Sequence, residues 1–311
     1  MCIADHLWRE AGRPRAYVIW LVSLAAIFAR PLYQLAILAA GSSLHSHILL
    51  IPFVSAYLIY LQRKSLPARY YSSPGFAVIP LVAGSAAAAA GWGLRSSGWP
   101  LSENDYLALM ALSFVCFIAA GGFLFLGRKW MAAAAFPIAF LIFMIPMPDA
   151  MADSLETGSK LASAEAANLF FKISGTPILR DGNIFQLPNI IIEVAQECSG
   201  IRSSWVLFIT SLLGAHLFLK SPWRQAVLVA FVIPLGIVRN GFRVFVIGML
   251  CVHIGPAMIH SVIHRRGGPL FFALSLIPLF LLIWWLRRGE TTADSLRKLI
   301  GRKFYRRSHH L

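Results

Sequence analysis

Charge is scarce in this chain. Only 13% of its 311 residues are Asp, Glu, Lys or Arg, while 58% are hydrophobic. A soluble domain carries about 25% charged residues. Acidic residues are the scarcest class: 13 Asp and Glu stand against 28 Lys and Arg. Four cysteines over this length do not read as a disulfide framework. The nine histidines show no metal-ligand spacing such as His-Glu-x-x-His, so neither a metal nor a cofactor is predicted. There is no internal repeat of useful strength, no low-complexity linker and no stretch that reads as a soluble domain. The first apolar run lacks a following small-residue cleavage site, so it reads as a membrane helix rather than a removable signal peptide.

What is present is a series of apolar runs, most long enough to cross about 30 Å of hydrocarbon. Eight crossings are predicted: Tyr17–Ala40, Ile48–Leu61, Pro74–Leu94, Tyr106–Leu126, Met131–Pro148, Ile201–Leu219, Gln225–Ile254 and Pro269–Leu286. The second is short and is extended back through His47. The first contains Arg30-Pro31, where a kink or break is expected. The fold class is therefore all-α: a polytopic helical membrane protein with one integral membrane domain over residues 1–311.

The cations set an orientation. Eighteen of them fall on one side of an eight-helix arrangement: Arg9, Arg13, Arg15, Arg63, Lys64, Arg69, Arg128, Lys129, Lys220, Arg224 and eight in the tail 287–311. Six fall on the other side, and Arg30, Arg202, Arg239 and Arg243 lie within helices. Positive residues collect on the cytoplasmic side, so both termini are predicted to be cytoplasmic. The net charge of +15 is assigned to this rule and to contact of the tail with anionic lipid, not to nucleic acid.

One connection is long. Residues 149–197 form an outer segment too long for a simple turn. Asp149–Ser174 has helical spacing, with Met151, Leu155, Ala162, Ala166, Leu169 and Ile173 as an apolar stripe, and is expected to lie along the membrane surface. Gly175-Thr176-Pro177 ends it. Ile184–Leu187 and Ile190–Val194 flank Pro188-Asn189 and predict a small β-hairpin.

Three polar positions then meet at one depth. Glu197-Cys198-Ser199-Gly200-Ile201-Arg202-Ser203 lies where the outer segment ends and a helix begins. Arg243 is 18 residues beyond Gln225, which puts it about 27 Å up its helix from the cytoplasmic entry. Asn240 shares its face. His264 lies in the outer loop before the last helix. Ionisable residues at such depths are costly and mark function by default. A thiolate can attack a carbonyl, a histidine can move the proton, and an arginine can stabilise thiolate or oxyanion. A helix start lowers a thiol pKa. Gly200 leaves room beside the sulfur for a substrate backbone. Arg202 shares the face of Cys198, and either Arg202 or Arg243 could face the oxyanion. Glu197 works against thiolate formation unless it pairs with one of these arginines.

These residues resemble the exosortase/archaeosortase family of membrane cysteine transpeptidases. Gly127-Arg128-Lys129-Trp130, then Phe136-Pro137 through Pro146-Met147-Pro148, resemble the segment before that family's outer loop. Residues 193–203 resemble its nucleophile motif, Asn240-Gly241-Phe242-Arg243 its Asn-x-x-Arg motif, and His264–Phe272 its histidine block, with Gly268 at the glycine. Ser46-His47 and the helix after it resemble the family's early region more weakly. Many members have Ala before the Cys and Trp after the glycine; here Glu197 and Pro269 stand there.

The resemblance implies Cys198 as nucleophile, Arg243 as its electrostatic partner and His264 as acid/base, with Glu197, Ser199, Gly200, Arg202 and Asn240 in support. It implies a bacterial inner-membrane enzyme with its active site facing the periplasm. Its substrates would be secreted proteins ending in a short motif such as Pro-Glu-Pro, one transmembrane helix and a basic cluster. An acyl-thioester would form and pass to an acceptor, a surface polysaccharide or a lipid among the options. Other readings remain: Cys198 in packing or in a disulfide with Cys251, and His253 or His260 in place of His264. For the whole chain they are a transporter, or a non-catalytic component of surface-polysaccharide export. His45 and His47 read as interfacial polar residues, and Arg239 as structural.

Overall fold

A computed structural model describes residues 2–42, 44–188, 190–194, 200–260 and 267–308. The chain divides into two compact units, residues 1–152 and 153–311.

The first unit contains α1 (Cys2–Ile27), α2 (Ala29–Gly41), α3 (Ile51–Gln62), α4 (Pro74–Ser96), α5 (Glu103–Gly121), α6 (Arg128–Ala133) and α7 (Ala135–Phe140). Two of its breaks have one cause. A proline ring collides with the carbonyl four residues earlier. Pro31 lies four residues after Ile27, where α1 ends, and Pro137 lies four residues after Ala133, where α6 ends. The chain bends by 72° between Gly12–Ile27 and α2. Proline alone does not force this: Pro80 lies inside α4, which continues.

Small residues bring α4 against α5. A Cβ on Gly91 would stand 2.6 Å from Met110, and one on Gly84 would stand 3.0 Å from Cys116 Cβ. Close backbone approach of this kind is how helices associate in lipid. The loop into α6 turns on Gly127, whose φ is +87°. The Tyr71 carbonyl occupies the place of its missing side chain, and Ser73 Oγ accepts from the Arg128 amide at 3.1 Å. The Gly127-Arg128-Lys129-Trp130 run is thus a turn that only glycine can enter.

The second unit holds most of α8 (Asp149–Ile173), a three-stranded antiparallel sheet, and α9 (Ile201–Phe218), α10 (Pro222–His253) and α11 (Gly268–Ser308). The strands are β1 (Leu179–Asp181), β2 (Ile184–Leu187) and β3 (Ile190–Glu193). The predicted hairpin is β2–β3, in the register Phe185 opposite Ile192. The sequence reading missed β1, which pairs Asp181 with Ile184 across the two-residue turn Gly182-Asn183.

Phe185, Leu187, Ile192 and Val194 point into one core with Phe171 of α8 and Val244, Ile247 and Cys251 of α10. The buried side of α8 is Ser163, Ala164, Ala167 and Phe171. It meets α10 at Gly241 and Gly248, where a Cβ would stand 2.5 Å from Ala166 and from Phe171 respectively. Of the expected apolar stripe, Met151, Leu155, Leu169 and Ile173 are exposed. The side chosen for packing is the one with small residues, because it allows the closest approach. A second core joins α9, α10 and α11 through Leu207, Leu228, Val232, Leu279 and Ile283.

Eight crossings were expected, the first of them kinked or broken; among the described residues five helices are long and apolar enough to cross a membrane. They are α4, Glu103–Leu126, α9, α10 and Gly268–Glu290. The number rises to seven if each of two bent pairs, Gly12–Ile27 with α2 and Ala135–Met144 with α8, is one span. The predicted second crossing is α3, whose 12 residues rise only about 18 Å. The all-α polytopic architecture stands: the first crossing is bent and the second short, as expected, and the fifth, expected to be plain, is part of a second bent pair.

Candidate active site

The site is built where α9 begins against the middle of α10. Helices α9 and α10 cross through paired small residues. A Cβ on Gly236 of α10 would stand 2.7 Å from Ser204 Oγ of α9, and one on Gly200 would stand 2.7 Å from Asn240 Cγ and Oδ1. Gly200 and Ser204 are four residues apart, as are Gly236 and Asn240, so each pair shares a helix face.

Gly200 caps α9 in the left-handed region, at φ 72° and ψ 4°. That conformation costs an L side chain about 1–2 kcal/mol, and Asn240 fills the space a side chain would need. The Gly200 carbonyl is the convergence point. It accepts from the Ser204 amide at 3.0 Å, from Ser203 Oγ at 3.2 Å and from Arg239 Nη2 at 3.2 Å. The same Nη2 donates to Ser204 Oγ at 3.1 Å. Arg239 Nη1 is buried and has no hydrogen-bond partner among the described residues.

Arg239 and Asn240 are buried, at 7% and 2% exposure, and Arg243 is half-buried one turn further along α10. Arg202 is exposed on the first turn of α9. Gly200 therefore packs on the turn of α10 that carries Asn240 and Arg243, and Arg202 is exposed. Arg239, which the sequence reading set aside as structural, is the side chain that fastens the start of α9. Its signal was available: it adjoins Asn240 and sits four residues before Arg243, on the same stripe of the helix.

The start of α11 reaches the same turn of α10. The ring of Phe271, on the first turn of α11, meets the ring of Phe242 edge-on at 6.3 Å. Phe242 also packs on Phe170 of α8 at 5.7 Å. Phe242 lies between Asn240 and Arg243 in sequence, so α8, α11 and the start of α9 all converge on residues 239–243. Glu197, Cys198, Ser199 and His264 lie outside the described residues. Of the other cysteines, Cys251 is a free thiol, 1% exposed in the apolar core, and Cys116 is a free thiol on α5. His253 is exposed at the end of α10.

The transmembrane exosortase family model (Exosortase_EpsH) matches residues 38–281. The chain belongs to the transmembrane exosortase family. The match covers more than three quarters of this exosortase and takes in all three motifs. It also begins before Ser46-His47, so the early region, which carried little recognisable sequence, is part of the family's fold. No curated protein and no solved structure matches this exosortase.

Proposed function

We propose that this exosortase is a cysteine peptidase/transpeptidase that cleaves the C-terminal sorting tail of secreted proteins. The observation that carries the reading is the convergence on α10: Gly200 is held by Arg239 against Asn240, with Arg243 one turn away. Cys198 is two residues from Gly200, so the covalent chain alone keeps their Cα atoms within about 7 Å. Helix α10 runs antiparallel to α9 across a short connection, so Arg243 lies beyond Asn240 in the direction from which the chain enters α9.

In this reading the Cys198 thiolate adds to the scissile carbonyl, and Arg243 stabilises the thiolate before attack and the oxyanion after it. His264 takes the thiol proton and returns it to the departing amine as the C–N bond breaks. The acyl-thioester on Cys198 is then taken by an acceptor nucleophile or by water. Arg239 positions the start of α9, with Asn240 filling the space under Gly200. Glu197, Ser199 and Arg202 line the approach. The site faces the periplasm from a bacterial inner membrane, with both termini cytoplasmic. The substrate tail lies in the bilayer with its basic cluster on the cytoplasmic side, and the acceptor is a surface polysaccharide or lipid.

The test is Cys198→Ala in cells carrying a tailed secreted protein. Substrate should remain full-length and membrane-bound, and the wild-type enzyme should yield a mass-spectrometric adduct of substrate on Cys198. Normal processing by the variant would end the proposal.

A further inference from the structure

The first unit contains a polar cleft that the proposed chemistry does not use. It has a volume of about 370 Å³ and is lined by Arg30, Gln34, Trp92, Arg95, Ser96 and Tyr106. That lies within the range of ligand pockets. Among the described residues, no acidic side chain lines it. Arg30 and Arg95 form no ion pair among the described residues; Arg95 lies over the Tyr106 ring at 4.4 Å. Two guanidiniums therefore share one cavity without a carboxylate between them. A cleft lined by charge of one sign favours the entry of an anion.

The elements explain how the cleft is made. The 72° bend at Phe28 swings α2 away from the line of α1. Arg30 falls on the first turn of α2, where helix amides add positive potential, and Gln34 is four residues on, along the same face. Trp92, Arg95 and Ser96 lie on the last turns of α4, and Tyr106 is on the first turn of α5. A helix pair that spans the membrane turns at its surface, so this end of the α4–α5 pair lies at headgroup level. Trp92 and Trp99, 76% and 65% exposed, are the aromatic residues expected there.

The geometry points to a binding site for a phosphate group at the membrane surface. The guanidinium forks of Arg30 and Arg95 donate to its oxygens, the Gln34 amide adds a donor, and Trp92 flanks the attached body. Arginine is suited to this role because its planar fork matches phosphate oxygens two at a time. The phosphate is that of a lipid headgroup or of a soluble phosphate, and the two are separable. The site is independent of Cys198 and of the peptidase reading.

The experiment uses the full chain purified in a maltoside detergent that carries no phosphate. Three probes are titrated: dioleoyl phosphatidic acid, dioleoylglycerol and inorganic phosphate. Native mass spectrometry counts bound lipid, and competition by inorganic phosphate reads the soluble source. Phosphatidic acid should bind, and the Arg30→Gln/Arg95→Gln variant should bind it about tenfold more weakly or worse. Dioleoylglycerol should not be retained. Binding of phosphatidic acid that inorganic phosphate does not displace assigns the site to lipid; displacement at comparable concentration assigns it to a soluble phosphate. Arg287→Gln/Arg288→Gln, a second exposed arginine pair, controls for general basicity and should leave the affinity unchanged. Because Arg30 and Arg95 are exposed, the double variant should melt with the wild type; if it does not, Arg95→Gln alone is measured in its place. Equal affinity of wild type and variant for phosphatidic acid and for inorganic phosphate, or an equal loss in the Arg287/Arg288 control, overturns the proposal.

Discussion

Asn240 stands directly beneath Gly200: a side chain at Gly200 would begin 2.7 Å from the Asn240 carboxamide. The two positions should therefore be energetically coupled. Gly200→Ala is expected to cost about 1–2 kcal/mol from the left-handed backbone and more from the overlap. Asn240→Ala removes the overlap but not the backbone strain. Thermal melts of both single variants and the double variant form a cycle, in which Asn240→Ala should cost less stability in the Gly200→Ala background than in the wild type. Simple additivity would show that the two do not meet.

Arg239 holds the Gly200 carbonyl and the Ser204 hydroxyl with one nitrogen. Arg239→Lys keeps the charge and loses the fork. The expected loss is about 1–3 kcal/mol of local stability. Processing of a tailed substrate should fall about tenfold or more, with kcat affected more than KM because the residue positions α9 rather than touching substrate. Unchanged processing by Arg239→Lys would remove it from the site. A loss in KM alone would make it a binding residue instead.

Strand β3 is an edge of the sheet, and an extended sorting motif can add to it as a further strand. The register separates this idea from simple unfolding. The Val194 amide donates inward, to the Asn183 carbonyl at 3.0 Å. Amides alternate along a strand, so Ile192 also points inward, towards Phe185, and Ile191 points outward. Ile191→Pro removes an outward donor and should slow processing with little change in melting temperature. Ile192→Pro breaks the ladder to β2 and should lower both. Full processing by Ile191→Pro would exclude strand addition at this edge.

His45 lies between α2 and α3, outside the membrane-spanning helices, with Nδ1 3.1 Å from Ser42 Oγ. Its Nε2 is buried without a hydrogen-bond partner among the described residues. Burial holds the imidazole below its ordinary value, against the opposing charge of Asp149. Above about pH 6.5 the ring is neutral folded or unfolded. Below that, the unfolded chain takes the proton first, so stability falls as pH drops towards the lowered native value. The melting temperature should decline between about pH 7.5 and 5.5 by a few degrees more in the wild type than in His45→Gln. Parallel declines would mean that His45 does not contribute.

Much of this was legible from sequence, for local reasons. Apolar runs located the helices, and Pro188-Asn189 located the connection between β2 and β3. The order of motifs located the family. The break near Arg30-Pro31 was expected, but its position at Phe28 follows from the ring of Pro31 meeting Ile27 rather than from the proline itself. What was hidden is non-local. The turn at Gly182-Asn183 was readable, but β1 needed a partner before it could count as a strand. The apolar stripe of α8 was read from hydropathy, but the face that packs on α10 was not readable from it. The contact is made by Ala166 and Ala167 against Gly241 and by Phe171 against Gly248. Arg239 was read as structural, and it is; what the sequence does not show is that the carbonyl it holds is that of Gly200.

The clasp between Arg239 and Gly200 also constrains how α10 can change over evolutionary time. Each residue of a helix turns the next by about 100°. One amino acid inserted or deleted between Gly236 and Arg239 would swing the guanidinium off the α9 face and leave Ser204 opposite a different side chain. Substitutions can accumulate along α10, but its length across this stretch cannot drift.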